Sequence, residues 1–187
     1  MPRVAAAFVI TGPSGVGKGT LIRALRERIP ELELSTSATT RPPRQGEVDG
    51  VDYHFLAPEE FESRVERGDF LEHAVYSGNR YGTLRSEVER RTARGAPVLL
   101  EIEVQGARQV RVSMPEAIQI FIAPPDPSDL RRRLEGRGTD TSDTIEGRLR
   151  VAEEELAAQD EFRHAVVNDE VDRAAAELEA IVRAASG

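Results

Sequence analysis

The chain has 187 residues, 39% of them hydrophobic, a net charge of −8 and no cysteine. That length buries a sizeable core within one compact domain, and the acidic balance excludes general affinity for nucleic-acid backbones, which basic surfaces favour. Lack of cysteine removes disulfide frameworks and thiolate metal or redox sites; no apolar run approaches about 18 residues, so no membrane helix is expected and a cytoplasmic location fits.

The first element pair lies in residues 5–25, AAAFVITGPSGVGKGTLIRAL. The apolar run 5–10 is short enough for a buried parallel strand. Gly12, Pro13, Ser14, Gly15, Val16, Gly17 and Lys18 follow as two glycines five apart and then lysine, the pattern that cradles phosphates. Leu21, Ile22 and Leu25 then recur at helical spacing. Strand, glycine loop and helix together turn a string match into a binding site for a di- or triphosphate, because loop N–H groups and the helix N-terminus point into one concavity. Lys18 is the sole lysine among 25 basic residues. A compact ammonium suits a seat between phosphates that a planar guanidinium does not fit. A cleaved leader at the N-terminus would remove the strand that feeds this loop, so none is expected.

Further along, residues 32–40 offer a short strand that runs into polar residues, and VDYHFL, 51–56, alternates as a strand does. Pro58 begins a helix that Gly68 ends. Residues 70–76 read as a strand, 77–79 as a turn, and 84–94 as a charged helix stopping at Gly95. APVLLEIEV (96–104) and AIQIFIA (117–123) are buried-strand candidates, separated by a short helix over 106–112. A helix from about Pro127, a GRGTD loop, a long helix over 142–159, a short strand HAVVND and a closing amphipathic helix over 170–184 complete the chain. Strands alternating with helices imply a parallel sheet, while 37–84 breaks the rhythm as an inserted lobe would.

STSATTRPPRQGEVDGVDY, 35–53, is the more specific segment. Arg41 and Arg44 flank two prolines that stiffen the backbone. Paired arginines on a rigid turn suit bidentate capture of a phosphate monoester, with Ser37 and Tyr53 able to donate further hydrogen bonds. Acidic bulk with local arginine clusters points to a small anionic substrate. His54, His73 and His164 follow no metal spacing, and no protein metal site is expected.

In order and spacing, GPSGVGKGTL, the 35–55 block, FLEHAVYSGNRYGT, VLLEIEVQGA, GRGTD and VVND resemble the guanylate kinases over nearly the whole chain. The resemblance implies a three-layer α/β P-loop kinase fold around a parallel sheet of about five strands. It divides the chain into a core (1–36, 85–135 and 150–187), a GMP-binding lobe (37–84) and a lid (136–149). The implied reaction moves the γ-phosphoryl group of ATP to GMP, and also to dGMP, within purine nucleotide metabolism, with Mg²⁺ carried by ATP. Partners are then ATP and GMP, with no nucleic acid and no membrane, in a monomer or homodimer.

Carried over by position, the ATP site comprises Gly12 through Thr20, Arg137, and Asn168 near the adenine edge. The GMP phosphate falls to Ser37, Arg41, Arg44, Tyr53 and Tyr81; Glu72 accepts from guanine N1–H and the exocyclic amine, and Thr83 beside Gly82 faces O6. Lys18, Arg44, Arg137 and Arg148 form the expected catalytic group, and Glu47 orients the arginines. Two positions depart from the family pattern. Glu103, counted with the GMP-binding residues and reaching towards GMP or a magnesium-bound water, stands where aspartate is common. Gly19 separates Lys18 from Thr20 where Ser or Thr ordinarily follows the lysine, which leaves Mg²⁺ to phosphates and water.

Two other readings stay in view. A binding module that has kept the fold and lost catalysis would typically lack the lysine-bearing loop, which is intact here. A kinase for another monophosphate or a phosphorylated sugar would have no use for Glu72 and Thr83 as a guanine-matching pair.

Overall fold

The computed structural model describes residues 6–135 and 142–186. In chain order the elements begin with β1 (Ala7–Thr11), α1 (Lys18–Arg28), β2 (Glu33–Leu34), β3 (Ala38–Thr39), β4 (His54–Phe55) and α2 (Pro58–Glu66). Then come β5 (Phe70–Tyr76), β6 (Asn79–Leu84), α3 (Arg85–Thr92), β7 (Val98–Glu101) and α4 (Val104–Ser113). The chain continues with β8 (Ile118–Ala123), α5 (Pro127–Glu135), α6 (Ser142–Ala157), β9 (His164–Val167) and α7 (Val171–Ser186).

Five strands form one sheet in the order β2-β7-β1-β8-β9, with each neighbouring pair parallel. Helices cover both faces, which is why β1 and β7 read as unbroken apolar runs. Phe8 and Ile10 pack with Leu21 and Leu25 of α1 and Ala174 and Leu178 of α7. Ala7 and Val9, one residue out of phase, pack with Val88 of α3 and with Val104, Ala107 and Val110 of α4. Alternation along β1 thus splits the interior into two clusters and makes three layers.

Residues 38–84 hold a second, four-stranded sheet in the order β4-β3-β6-β5. β3 and β4 run parallel, whereas β3–β6 and β5–β6 are antiparallel. Ala38, Phe61, Phe70 and Leu84 form its own core, with the Phe61 and Phe70 rings stacked 4.4 Å apart. The strand expected over VDYHFL narrows to His54 and Phe55. Aspartates divert the backbone there: Val48 N–H donates to Asp52 Oδ2 at 2.7 Å and Phe55 N–H to Asp49 Oδ1 at 2.9 Å, side chains standing in for a ladder partner.

β5 carries a bulge. Its pairing with β6 jumps from Phe70↔Leu84 to Glu72↔Thr83, leaving Leu71 as the extra residue. Leu71 packs into the interior beneath α4, while Phe70 serves the small sheet's core. The bulge therefore joins the two cores and sets the direction of Glu72. The free edge of β5 is covered by α4: His73 N–H donates to Gln109 Oε1 at 3.0 Å, and Gln109 Nε2 donates to His73 O at 2.9 Å. One side chain completes the edge as a strand would.

Candidate active site

The glycine loop leaves β1 at its carboxyl end, where ligands gather in open parallel sheets. A side chain at Gly12 would place its Cβ 2.4 Å from the Ile122 carbonyl oxygen, so only glycine lets the chain turn past β8. Gly17 enters α1 at φ 94° with no side-chain cap, leaving the first N–H groups of the helix without a side-chain partner. Lys18 reaches back across the loop, donating from Nζ to Gly12 O at 2.5 Å and to Pro13 O at 3.3 Å. Burial lowers the Lys18 pKa, partly opposed by the carboxylates of Glu155, Glu101 and Glu103. Glu155 lies on α6; burial raises its pKa against the pull of Lys18.

Asn168 does not stand open beside the loop. Only 3% exposed, it donates from Nδ2 to Val16 O at 2.8 Å and from its backbone N–H to Ala123 O at 2.8 Å. It ties the end of β9 to the loop, so the loop's shape depends on it. Gly19 and Thr20 are exposed at the start of α1. Arg148 lies half-buried on α6, and Arg137 lies outside the described residues.

A cleft of about 290 Å³ opens between the small sheet and the carboxyl end of β7. Ser37, Tyr53, Glu72, Tyr81, Gly82 and Glu103 line it, together with Tyr76, Gln105 and Gly106. Glu72 is 7% exposed, and Thr83 Oγ1 donates to its Oε1 at 2.7 Å. Burial raises the Glu72 pKa above the usual carboxylate range; the Thr83 hydroxyl and amide pull it down and Glu103 pushes it up. Thr83 is itself fully buried and sits behind Glu72, so its hydroxyl is engaged with the carboxylate and does not line the cleft.

The two arginines of the proline-rich segment differ. Arg41 is held by Glu47 through two parallel bonds, NH1 to Oε2 at 3.0 Å and NH2 to Oε1 at 2.9 Å, and lies 5.2 Å from the centre of the Tyr53 ring. The Glu47 hydrogen bonds raise the Arg41 pKa and lower that of Glu47. Glu47 also accepts from the Arg44 N–H at 2.7 Å, which fixes the backbone and leaves the Arg44 side chain exposed. A larger groove of about 1010 Å³ near Arg111, Phe162 and Ile181 has neither the glycine loop nor the arginine pair.

A family model described as guanylate kinase matches residues 5–185. The chain belongs to the guanylate kinase family. It is 57% identical over 176 residues to the guanylate kinase of Synechococcus sp. (strain CC9311), covering 94% of this chain and 93% of that one. Identity to the guanylate kinase of Frankia casuarinae is 55% over 174 residues, 93% of this chain and 95% of the relative. The crystal structure of guanylate kinase from Anaplasma phagocytophilum superposes with a TM-score of 0.71 at 30% identity, covering 98% of this chain and 88% of that chain.

Sequence reasoning missed three features of this guanylate kinase. Glu155 acts on Lys18 from a helix more than 130 positions away, and nothing in an acidic run such as EEE at 153–155 marks one member. Tyr76 reaches the cleft from the end of β5. Gly106 did leave a signal: a glycine within a helix points to close approach by a neighbour.

Proposed function

We propose that ATP binds on the glycine loop and GMP in the cleft at Glu72, so that guanylate kinase activity, ATP + GMP to ADP + GDP, runs between them. Family membership supports the reaction, and the buried Glu72 carboxylate is the observation that carries the base assignment. Guanine presents two adjacent donors, N1–H and the 2-amino group, and an ionised carboxylate accepts from both. Adenine has an unprotonated N1 at that edge, which would leave the carboxylate without partners.

The remaining roles are proposed from the family pattern together with the placement of the described residues. Ser37, Tyr53 and Tyr81 line the cleft; with Arg41 beside the Tyr53 ring and the exposed Arg44 they are the proposed holders of the GMP phosphate. Glu47 orients Arg41, and Thr83 orients Glu72. Loop amides from Gly12 to Thr20 take the ATP phosphates and Lys18 neutralises their charge, while Arg137 and Arg148 close on the transferred group. Asn168 acts through the loop it holds. Phosphoryl transfer depends on such positioning and charge stabilisation and needs no covalent nucleophile.

The site suits a magnesium ion that arrives on ATP. Glu101, Glu103 and Glu155 exert their charge on Lys18, and Gly19 offers no hydroxyl, so the ion would be held by the ATP phosphates and water. The ion supplies neutralisation of phosphate charge.

Glu72→Gln tests the reading. It replaces one acceptor by a donor, and kcat/KM for GMP should fall at least about tenfold, the loss of one good hydrogen bond to a charged group. Activity on AMP should fall far less, narrowing the GMP/AMP ratio. Glu72 must be ionised to accept both donors, so kcat/KM for GMP in the native enzyme should decline as pH falls towards a pKa lifted by burial. Equal losses on both bases would point to misfolding or a phosphate role, and an unchanged ratio would move base recognition elsewhere.

A further inference from the structure

Gly106 is the third residue of α4, inside the first turn of a ten-residue helix. Its φ is not left-handed, and alanine is the better helix former at such a position. Neither a turn nor helix propensity therefore explains the glycine. A Cβ at this position would lie 2.9 Å from Glu72 Oε2 and 3.4 Å from Glu72 Cδ, with Ile102 Cβ also at 3.4 Å. Gly19 in α1 and Gly147 in α6 have nothing within 4 Å of the same constructed atom. The crowding is particular to the carboxylate in the cleft.

Nor does Glu72 have an easy way to yield. Its other oxygen is pinned by Thr83 Oγ1 at 2.7 Å. The neighbouring residue His73 is joined to Gln109 by two hydrogen bonds at 3.0 and 2.9 Å, and Gln109 lies on the same helix as Gly106. Strand and helix are thus held at a fixed separation, and the carboxylate occupies the space that a side chain at 106 would take. A methyl group there must swing the carboxylate, breaking either its bond to Thr83 or its alignment with a base in the cleft.

We propose that Gly106 is a positioning residue for base selection: its missing side chain leaves room for the Glu72 carboxylate at the angle that meets both donors of a guanine edge. The proposal rests on the placement of GMP in this cleft. It predicts that Gly106→Ala lowers the GMP/AMP ratio of kcat/KM at least tenfold, through a higher KM for GMP, while KM for ATP stays within twofold. In a Glu72→Gln background, where the two-acceptor match is already lost, the same change should alter the ratio less than threefold.

An unchanged ratio for Gly106→Ala, or an equal loss in both backgrounds, overturns the proposal. If Glu72→Gln itself leaves the ratio unchanged, the cleft assignment fails; if Glu72→Gln narrows it and Gly106→Ala does not, only the role of Gly106 fails. Thermal melting guards against a variant that does not fold. Glu72→Ala/Gly106→Ala should melt no lower than Glu72→Ala, because the obstructing carboxylate is gone. A lower melting point in the double variant would place the clash at Ile102 and overturn the proposal.

Discussion

Lys18 shows how much one residue can disclose. As the only lysine, followed by a helix and preceded by an apolar strand, it marks its own loop in the sequence. The structure adds that Nζ spans the loop, 2.5 Å from Gly12 O and 3.3 Å from Pro13 O, in a seat shaped for a narrow cation. Lys18→Met should therefore lower kcat by about 10²–10³, or about 3–4 kcal/mol of transition-state stabilisation. Lys18→Arg should fail almost as badly, since a planar fork does not enter the same cradle. Steady-state kinetics on both variants, with circular dichroism to verify folding, checks this; full activity with arginine would refute the argument from fit. Glu72 was legible only through its surrounding motif, and its burial and its bond to Thr83 were not legible at all. Those depend on the extra residue Leu71, and no local pattern announces a bulge.

The long apolar strands and the helices were readable because periodicity and Gly or Pro punctuation act locally. β4 was legible as a strand but not in its length, because Asp49 takes the Phe55 N–H and Asp52 the Val48 N–H just before it. Also invisible was the tie between α3 and the small sheet. Glu87, 3% exposed, accepts from Arg91 Nε at 2.7 Å, from Arg90 at 2.8 Å and from the Thr36 N–H at 3.4 Å, and its Oε2 lies 3.3 Å from His54 Nε2. Arg90 and Arg91 stand at i+3 and i+4 from Glu87 on α3 and are readable from spacing, but Thr36 and His54 come from two distant stretches that leave no such trace. Burial alone would raise the Glu87 pKa, but Arg91 and Arg90 outweigh it and the net shift is downward. A depressed carboxylate pKa contributes stability that is present above the unfolded value and lost as pH falls through the folded one. Glu87→Gln should cost about 3 kcal/mol at pH 7, the lower end for breaking a buried pair, since Arg90 is largely exposed. Urea titrations should show the gap from the native protein closing as pH drops well below about 4.5. A gap that stays constant would mean that shape, and not charge, holds this junction.

At the scale of the molecule, two bodies with separate cores face each other across the cleft. Ala38, Phe61, Phe70 and Leu84 form one, and the clusters flanking the parallel sheet form the other. Their junction lies along α3 and α4, at Glu87 and Gln109, while Arg41 and Arg44 sit on a segment 41–52 that is mostly exposed. Phosphoryl transfer to GMP must exclude water, or water takes the phosphate in its place. If the small sheet turns as one unit about the α3–α4 side, its arginines move towards the glycine loop, and this is the expected closure. The first half of α6, which carries Arg148, is the other segment expected to close. Hydrogen exchange with and without a bisubstrate analogue checks this. New protection should arise in both 37–84 and 142–149, with GMP alone protecting the first segment and leaving the second nearly unchanged. Protection confined to the glycine loop would mean that the second substrate binds somewhere other than the Glu72 cleft. Protection of 142–149 without 37–84 would mean that closure comes from α6 alone and that the small sheet is a fixed wall.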